Sequence, residues 1–241
     1  MTAPERMSRS PGARPESSRT LLERRRALKH IGFLGAALAF SGLGARPVSA
    51  QTVLERLLIA TEDNDLAYVR SAIARGMPVD TVDRAGNSLL MIAARFGRLE
   101  MAKQLVDLKA NINHRNGFGD TPLMTAALGG NLEIARMLIE RGVPVNQPGW
   151  TALHYCAAAG KADMCQLLLD KDADIDARSP NGTTPLMMAV REGHFDVVKL
   201  LVWEVADVNA ENAEGATALK WAIRADREDM VSLLKRAGAK R

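Results

Sequence analysis

The chain has 241 residues, of which 47% are apolar and 25% charged, the makeup of a soluble globular protein rather than a fibrous or low-complexity one. Its pI of about 9.3 invites a nucleic-acid partner, but residues 1–50 hold nine Lys/Arg against three Asp/Glu. The remaining residues carry 23 basic and 25 acidic side chains, a near-neutral body without the basic footprint that a phosphate backbone demands, so no nucleic-acid partner is expected.

Residues 1–20 are polar and rich in Pro, Ser and Arg, and they are expected to be a disordered extension or to lie before the true start, with Met7 as an alternative initiator. Arg24-Arg25-Arg26 and Lys29 then form a positive region ahead of an uncharged, mostly apolar run from Ile31 to Gly44. Val48 and Ala50 give the small-residue pattern of a leader cut between Ala50 and Gln51. The apolar run is shorter than the roughly 20 residues a spanning helix needs, so residues 1–50 are expected to be a cleaved signal peptide that leaves no stable membrane anchor. Arg24-Arg25-Arg26-Ala27-Leu28-Lys29 resembles a twin-arginine export signal, with Ala27 in place of the usual Phe and Glu23 in place of Ser or Thr. The general export route stays open beside it. By either route the body leaves the cytoplasm, and in a bacterium the expected location is periplasmic.

From residue 51 onward one pattern recurs. Thr-x-Leu appears at Thr121-Pro122-Leu123, Thr151-Ala152-Leu153, Thr184-Pro185-Leu186 and Thr217-Ala218-Leu219, with a weaker Ser88-Leu89-Leu90 before them. The steps are 33, 30, 33 and 33 residues, a period that marks stacked repeats. Within a copy, Thr121 can cap a helix and Pro122 at its first position gives up only a donor that would have no partner. Leu123, Ala126 and Ala127 follow at helical spacing until Gly129-Gly130 breaks the run. A second amphipathic stretch, Leu132 to Arg141, stops at Gly142, and Val143-Pro144-Val145-Asn146 reads as extended chain entering a turn. Helix, tight turn, helix and hairpin make one unit.

The Gly-x-Thr-Pro-Leu opening and the Gly-x-x-Val-Asn close resemble the ankyrin repeat. That resemblance implies an all-α repeat solenoid of antiparallel helix pairs joined by β-hairpin-like loops. Six units are expected in one quasi-linear domain over 51–241, at roughly 51–82, 83–115, 116–146, 147–178, 179–211 and 212–241. The resemblance as a whole is to the exported bacterial type. One turn departs from the pattern: Gln147-Pro148-Gly149-Trp150 is three residues shorter than its counterparts. The spacing predicts a receding tip there, with Trp150 beside a notch or covering neighbouring apolar surface.

Candidate chemistry is sparse. His114, His154 and His194 are the histidines of the body, no two stand at metal-ligand spacing, and no triad spacing surrounds His154. The resemblance gives His154 and His194 structural places, and His114 is expected to be exposed. Asp170, Asp172, Asp174 and Asp176 lack the turn Gly and closing Glu of a calcium loop and read as a solvated acidic edge. No metal, cofactor or catalytic residue is expected. Cys156 and Cys165 take the places of small core residues (Ala93 and Ala126, Ala102 and Ala135) on antiparallel helices. Their Cα atoms could approach to roughly 4–5 Å, which leaves a disulfide or two buried thiols open.

In such arrays the resemblance leaves the hairpin tips and the inward face of the first helices free for a protein partner. Carried onto this chain, that face holds Ile92, Arg95 and Phe96, then Thr125, Leu128 and Tyr155, then Met188, Arg191 and Glu192, then Trp221 and Arg224. The tips add Arg84, Asn87, Phe118, Asp120, Trp150 and Asn181. Aromatics are only 4% of the chain, yet five of the eight in residues 51–241 fall here beside Arg, the usual anchors of protein interfaces. The expectation is a monomeric, non-catalytic interaction module binding through Arg95, Phe96, Phe118, Asp120, Trp150, Tyr155, Arg191 and Trp221. Exported relatives of this kind are thought to support or regulate envelope enzymes, including defence against peroxide. An immunity or inhibitor protein for a secreted enzyme and an effector acting on a host protein are alternatives, and a hydrolase using His154 is the reading from a different class.

Overall fold

The computed structural model describes residues 50–240. The leader expected over 1–50 lies outside the described residues. Of its cleavage pair, Ala50 and Gln51, only helical backbone is described. Twelve helices follow in chain order: α1 Ala50–Glu62 and α2 Leu66–Ala74, α3 Leu89–Arg95 and α4 Leu99–Asp107, α5 Pro122–Gly129 and α6 Leu132–Glu140, α7 Ala152–Ala159 and α8 Ala162–Leu169, α9 Pro185–Glu192 and α10 Phe195–Trp203, α11 Ala218–Arg224 and α12 Glu228–Arg236. They form six antiparallel pairs. Each odd-numbered helix packs on the odd-numbered helices before and after it, and the even-numbered helices form a second, more loosely touching row.

Local chemistry sets the helix starts. Ser88, Thr121, Thr184 and Thr217 stand extended before their helices, and each hydroxyl accepts the N–H three residues on, at 3.2–3.4 Å. Pro122 and Pro185 open α5 and α9. The first helices are short and lined by small residues: Ala93, Ala126, Cys156, Ala189 and Ala222 are fully buried, which lets neighbouring backbones come close. The turn after each first helix carries a left-handed residue, and at Gly160 the requirement is double. Its φ is +68°, and a Cβ there would sit 2.5 Å from His194 Nδ1 of the next unit.

Side chains at the start of the second helices stitch unit to unit. Arg98 Nε donates to Glu62 O at 2.6 Å, Asn131 Nδ2 to Ala94 O at 2.7 Å and Arg95 O at 3.0 Å, and His194 Nε2 to Ala158 O at 3.1 Å. Each satisfies carbonyls at a first-helix end that the helix itself leaves unpaired.

The hairpins are hydrogen-bonded turns rather than strands. Among the described residues the β pairing is a single isolated bridge, Val82 with Ser88. Backbone bonds close the turns at Asp83–Asn87, Asn116–Asp120, Ser179–Thr183 and Asn212–Ala216 at 3.0–3.1 Å. Adjacent tips also bond to each other, Gly117 N–H to Ala85 O at 3.1 Å and Ala213 N–H to Asn181 O at 2.9 Å. The turn at 147–150 is three residues shorter than these. A side chain helps to hold it. Gln147 Nε2 donates to Trp150 O at 2.7 Å, and its Oε1 accepts from Arg115 Nη2 at 2.9 Å.

Candidate functional site

The short turn leads into α7, and here the capping chemistry changes. Thr151 Oγ1 lies 2.9 Å from His154 Nδ1, and the Thr151 N–H also donates to that nitrogen at 3.3 Å. His154 Nε2 meets the Thr183 carbonyl of the next unit at 2.9 Å. A carbonyl only accepts, so Nε2 carries the proton and Nδ1 is the acceptor. Both ring nitrogens are thus spent, and His154 is 0% exposed. Burial pulls its pKa from 6.5 down to about 4, so the ring is neutral near pH 7. Trp150 packs edge-on to this ring, centroids 5.3 Å apart.

The other two histidines also meet carbonyls of neighbouring units. His194 does so at the turn between its helices, as above. His114 differs from the exposed place expected for it: it is half-buried, and Nε2 lies 2.8 Å from Gly86 O. The acidic run behaves as an edge. Asp170, Asp172 and Asp174 are exposed, and Asp176 Oδ1 accepts the Asp207 N–H at 2.9 Å. Desolvation raises the Asp176 pKa. No group of three or more His, Cys, Asp or Glu stands ready to hold a metal ion among the described residues.

Cys156 on α7 and Cys165 on α8 are joined by a disulfide, Cα atoms 5.7 Å apart, and both are 0% exposed. It fastens the two helices of the unit that carries the short turn.

On the hairpin side a polar relay crosses three units. Tyr155 Oη donates to Asp120 Oδ1. Asn116 Nδ2 donates to Asp120 Oδ2 at 3.1 Å and to Asn87 Oδ1 at 2.8 Å, and Asn87 Nδ2 donates to Asp83 Oδ2 at 2.8 Å. Two of the residues singled out, Asp120 and Tyr155, are therefore held in one network. Phe118, on the same tip, donates its N–H to Asn116 Oδ1 at 2.9 Å. Phe118, Trp150 and Tyr155 are half-buried. Elsewhere on the first helices lie two stacked pairs: the Arg95 guanidinium, in the last turn of α3, over the Phe96 ring at 5.2 Å, with Phe96 exposed, and Arg191, in the last turn of α9, over Trp221 at 5.8 Å. Arg191 Nε also donates to Glu192 Oε1 at 2.8 Å.

Three residues assigned to the inward face are instead core. Ile92, Thr125 and Met188 are buried, because the neighbouring first helices approach closely enough to cover that register. Gln147 and Asn116 shape the surface and were not placed on the face or the tips, whereas Asn87 stood among the tip residues. Each bonds within its own turn and also to a neighbouring one, Gln147 to Arg115 and Asn116 to Asn87, and local sequence does not display the second kind of contact.

With this geometry in hand, comparison with known proteins gives a consistent answer. A family profile described as Ankyrin repeats (3 copies) matches residues 90–179 and 176–240, and one described as Ankyrin repeats (many copies) matches residues 57–106. Human "Ankyrin repeat and KH domain-containing protein 1" is 38% identical over 104 residues, 41% of this chain and 4% of that protein. The Drosophila melanogaster "Neurogenic locus Notch protein" is 30% identical over 132 residues, 54% of this chain and 4% of that protein. The chain thus matches only a small part of these much longer relatives. The crystal structure of the human ASB11 ankyrin repeat domain superposes with a TM-score of 0.69 at 27% identity, covering 76% of this chain and 84% of that one. The repeats, the helix-pair architecture and these matches agree: the chain belongs to the ankyrin-repeat family.

Proposed function

We propose that this protein is a non-catalytic protein-binding module that acts in the periplasm and grips a protein partner through its hairpin side. Ankyrin arrays are protein–protein interaction modules, and the observation that supports this surface is the set of aromatics with arginine on the first helices and the hairpin tips. Along the stack, Arg95 stacked on Phe96 in the second unit and Arg191 stacked on Trp221 between the fifth and sixth bracket the units that carry Phe118, Trp150 and Tyr155, where one hairpin turn is three residues shorter. Rigid aromatics with arginine supply contact area at low conformational cost. A hydrolase using His154 is disfavoured, because both ring nitrogens are engaged inside the stack and the ring has no exposure. The Cys156–Cys165 disulfide suits an oxidising compartment, in keeping with the leader. On this reading the protein supports or regulates an envelope enzyme, one that defends against peroxide among them.

Immunoprecipitation from the periplasmic fraction tests this. The wild-type chain should recover a specific protein that a folded Phe118→Ala/Trp150→Ala variant loses. Full recovery by that variant removes the surface assignment, and an unprocessed chain found in the cytoplasm removes the compartment.

A further inference from the structure

The six units allow one turn to be compared with itself. At the position that closes the second helix they carry Ala74, Asp107, Glu140, Asp170, Trp203 and Arg236. Two residues on they carry Gly76, Lys109, Gly142, Asp172, Val205 and Gly238, every one at positive φ. Five units thus make this turn with small or charged residues, and the fifth places Trp203 and Val205 there, 81% and 83% exposed. Neither is needed for the turn. Valine at φ +65° is the least suitable of the six, since a β-branched side chain crowds its own backbone in the left-handed region. Folding does not account for the pair, so a surface duty has to.

The charges on either side indicate what covers it. Helix α10 packs between α8 and α12. On the α8 side Asp170 and Asp172 are exposed with Lys171 between them, and Gln166 Nε2 reaches both Asp170 Oδ1 at 2.9 Å and Glu204 Oε1 at 3.5 Å, which sets that turn beside Glu204 and leaves the flank net negative. On the α12 side Lys235 and Arg236 are exposed. Asn209 Nδ2 donates to Gly238 O at 3.2 Å and its Oδ1 accepts the Lys240 N–H at 2.8 Å, holding the basic turn against the fifth unit. The patch runs acidic, apolar, basic across three units.

A cationic partner would meet Lys235 and Arg236, and an anionic protein or lipid surface would meet Asp170, Asp172 and Glu204. A second copy turned by 180° opposes acid to base on both flanks and brings the two Trp203 side chains to the centre. We propose that Trp203 and Val205 are the centre of a two-fold contact between copies of this chain, in place of the monomer expected from the sequence. Two side chains and a charged rim fall short of the roughly 800 Å² per partner of a standard interface, so the dimer is reversible and concentration-dependent. It uses the second-helix row and leaves the hairpin side to a different partner.

Sedimentation velocity on the full chain tests it. The expected result is a monomer–dimer equilibrium that weakens in about 0.5 M salt. Trp203→Ala should raise the dimer Kd at least about tenfold, the range for a central Trp anchor. Val205→Gly should raise Tm yet weaken the dimer, a pairing of effects that a purely structural role does not produce. Asp170→Lys/Asp172→Lys and Lys235→Glu/Arg236→Glu chains should each fail to self-associate and should pair when mixed. A monomer at all concentrations up to about 1 mM overturns the proposal, as does a dimer indifferent to Trp203→Ala. Trp203-dependent binding to phosphatidylglycerol vesicles without self-association also overturns it, and assigns the patch to lipid.

Discussion

His154 makes stability depend on pH in a way that can be worked from its surroundings. Its folded pKa is about 4 and its unfolded value about 6.5. Between those values the unfolded chain binds a proton that the folded chain does not. Stability is therefore at its full value above pH 6.5, falls by about 1.4 kcal/mol for each unit as pH drops through the window, and levels off below pH 4. The whole loss comes to about 3 kcal/mol. The physical cost is specific: a proton on Nδ1 would face the Thr151 N–H, in a ring that has no exposure to solvent. Glu62 and Asp176, whose pKa values burial raises, act with the opposite sign, since the folded state binds their protons more readily and gains as pH falls through the acid range. The assay must separate them. Urea denaturation at pH 7, 6, 5 and 4 would compare the wild type with His154→Gln, which keeps an amide donor for Thr183 O and cannot titrate. The gap between the two curves should change by about 3 kcal/mol across the window. Parallel pH profiles, or an NMR titration of His154 centred near 6.5, would refute the reasoning.

Three further outcomes follow from the structure. Removing the disulfide as Cys156→Ala/Cys165→Ala should cost about 3 kcal/mol, the chain-entropy value for a link of separation 9, read as a denaturation midpoint that no longer responds to reductant. Val205→Gly should stabilise by about 1 kcal/mol by relieving a β-branched residue at φ +65°, visible as a higher Tm. Asn131→Ala should cost about 1–2 kcal/mol, because the Ala94 and Arg95 carbonyls lose their donor between units, and amide exchange should quicken at the α3–α4 turn.

Much of the stack is legible from residues alone, because its determinants are local and repeated. Ser88, Thr121, Thr184 and Thr217 cap the helices they precede, and Pro122 and Pro185 sit at first helical positions. Thr151 departs because the residue three places on is His154, whose ring competes for the hydroxyl. Aligning Cys156 with Ala93 and Ala126 placed the two cysteines on facing helices, though alignment does not decide between thiols and a bond. The surface was harder to read. Ile92, Thr125 and Met188 share the register of the inward face but are covered by the next unit, a matter of spacing between helices. The relay from Tyr155 to Asp83 joins residues up to 35 apart in sequence, so no window of local pattern contains it. Trp203 and Val205 are the reverse case. Laying the six copies over one another exposes them at once, without coordinates.

The central claim is that the hairpin side of the stack, and not its second-helix row, takes the protein partner. Hydrogen–deuterium exchange on the chain bound to the partner that immunoprecipitation recovers tests it most directly. The account predicts protection at residues 95–96, 116–120, 147–155, 191 and 221, with α4, α6 and α8 unchanged. Protection confined to the second helices, with the tips unaffected, would contradict it.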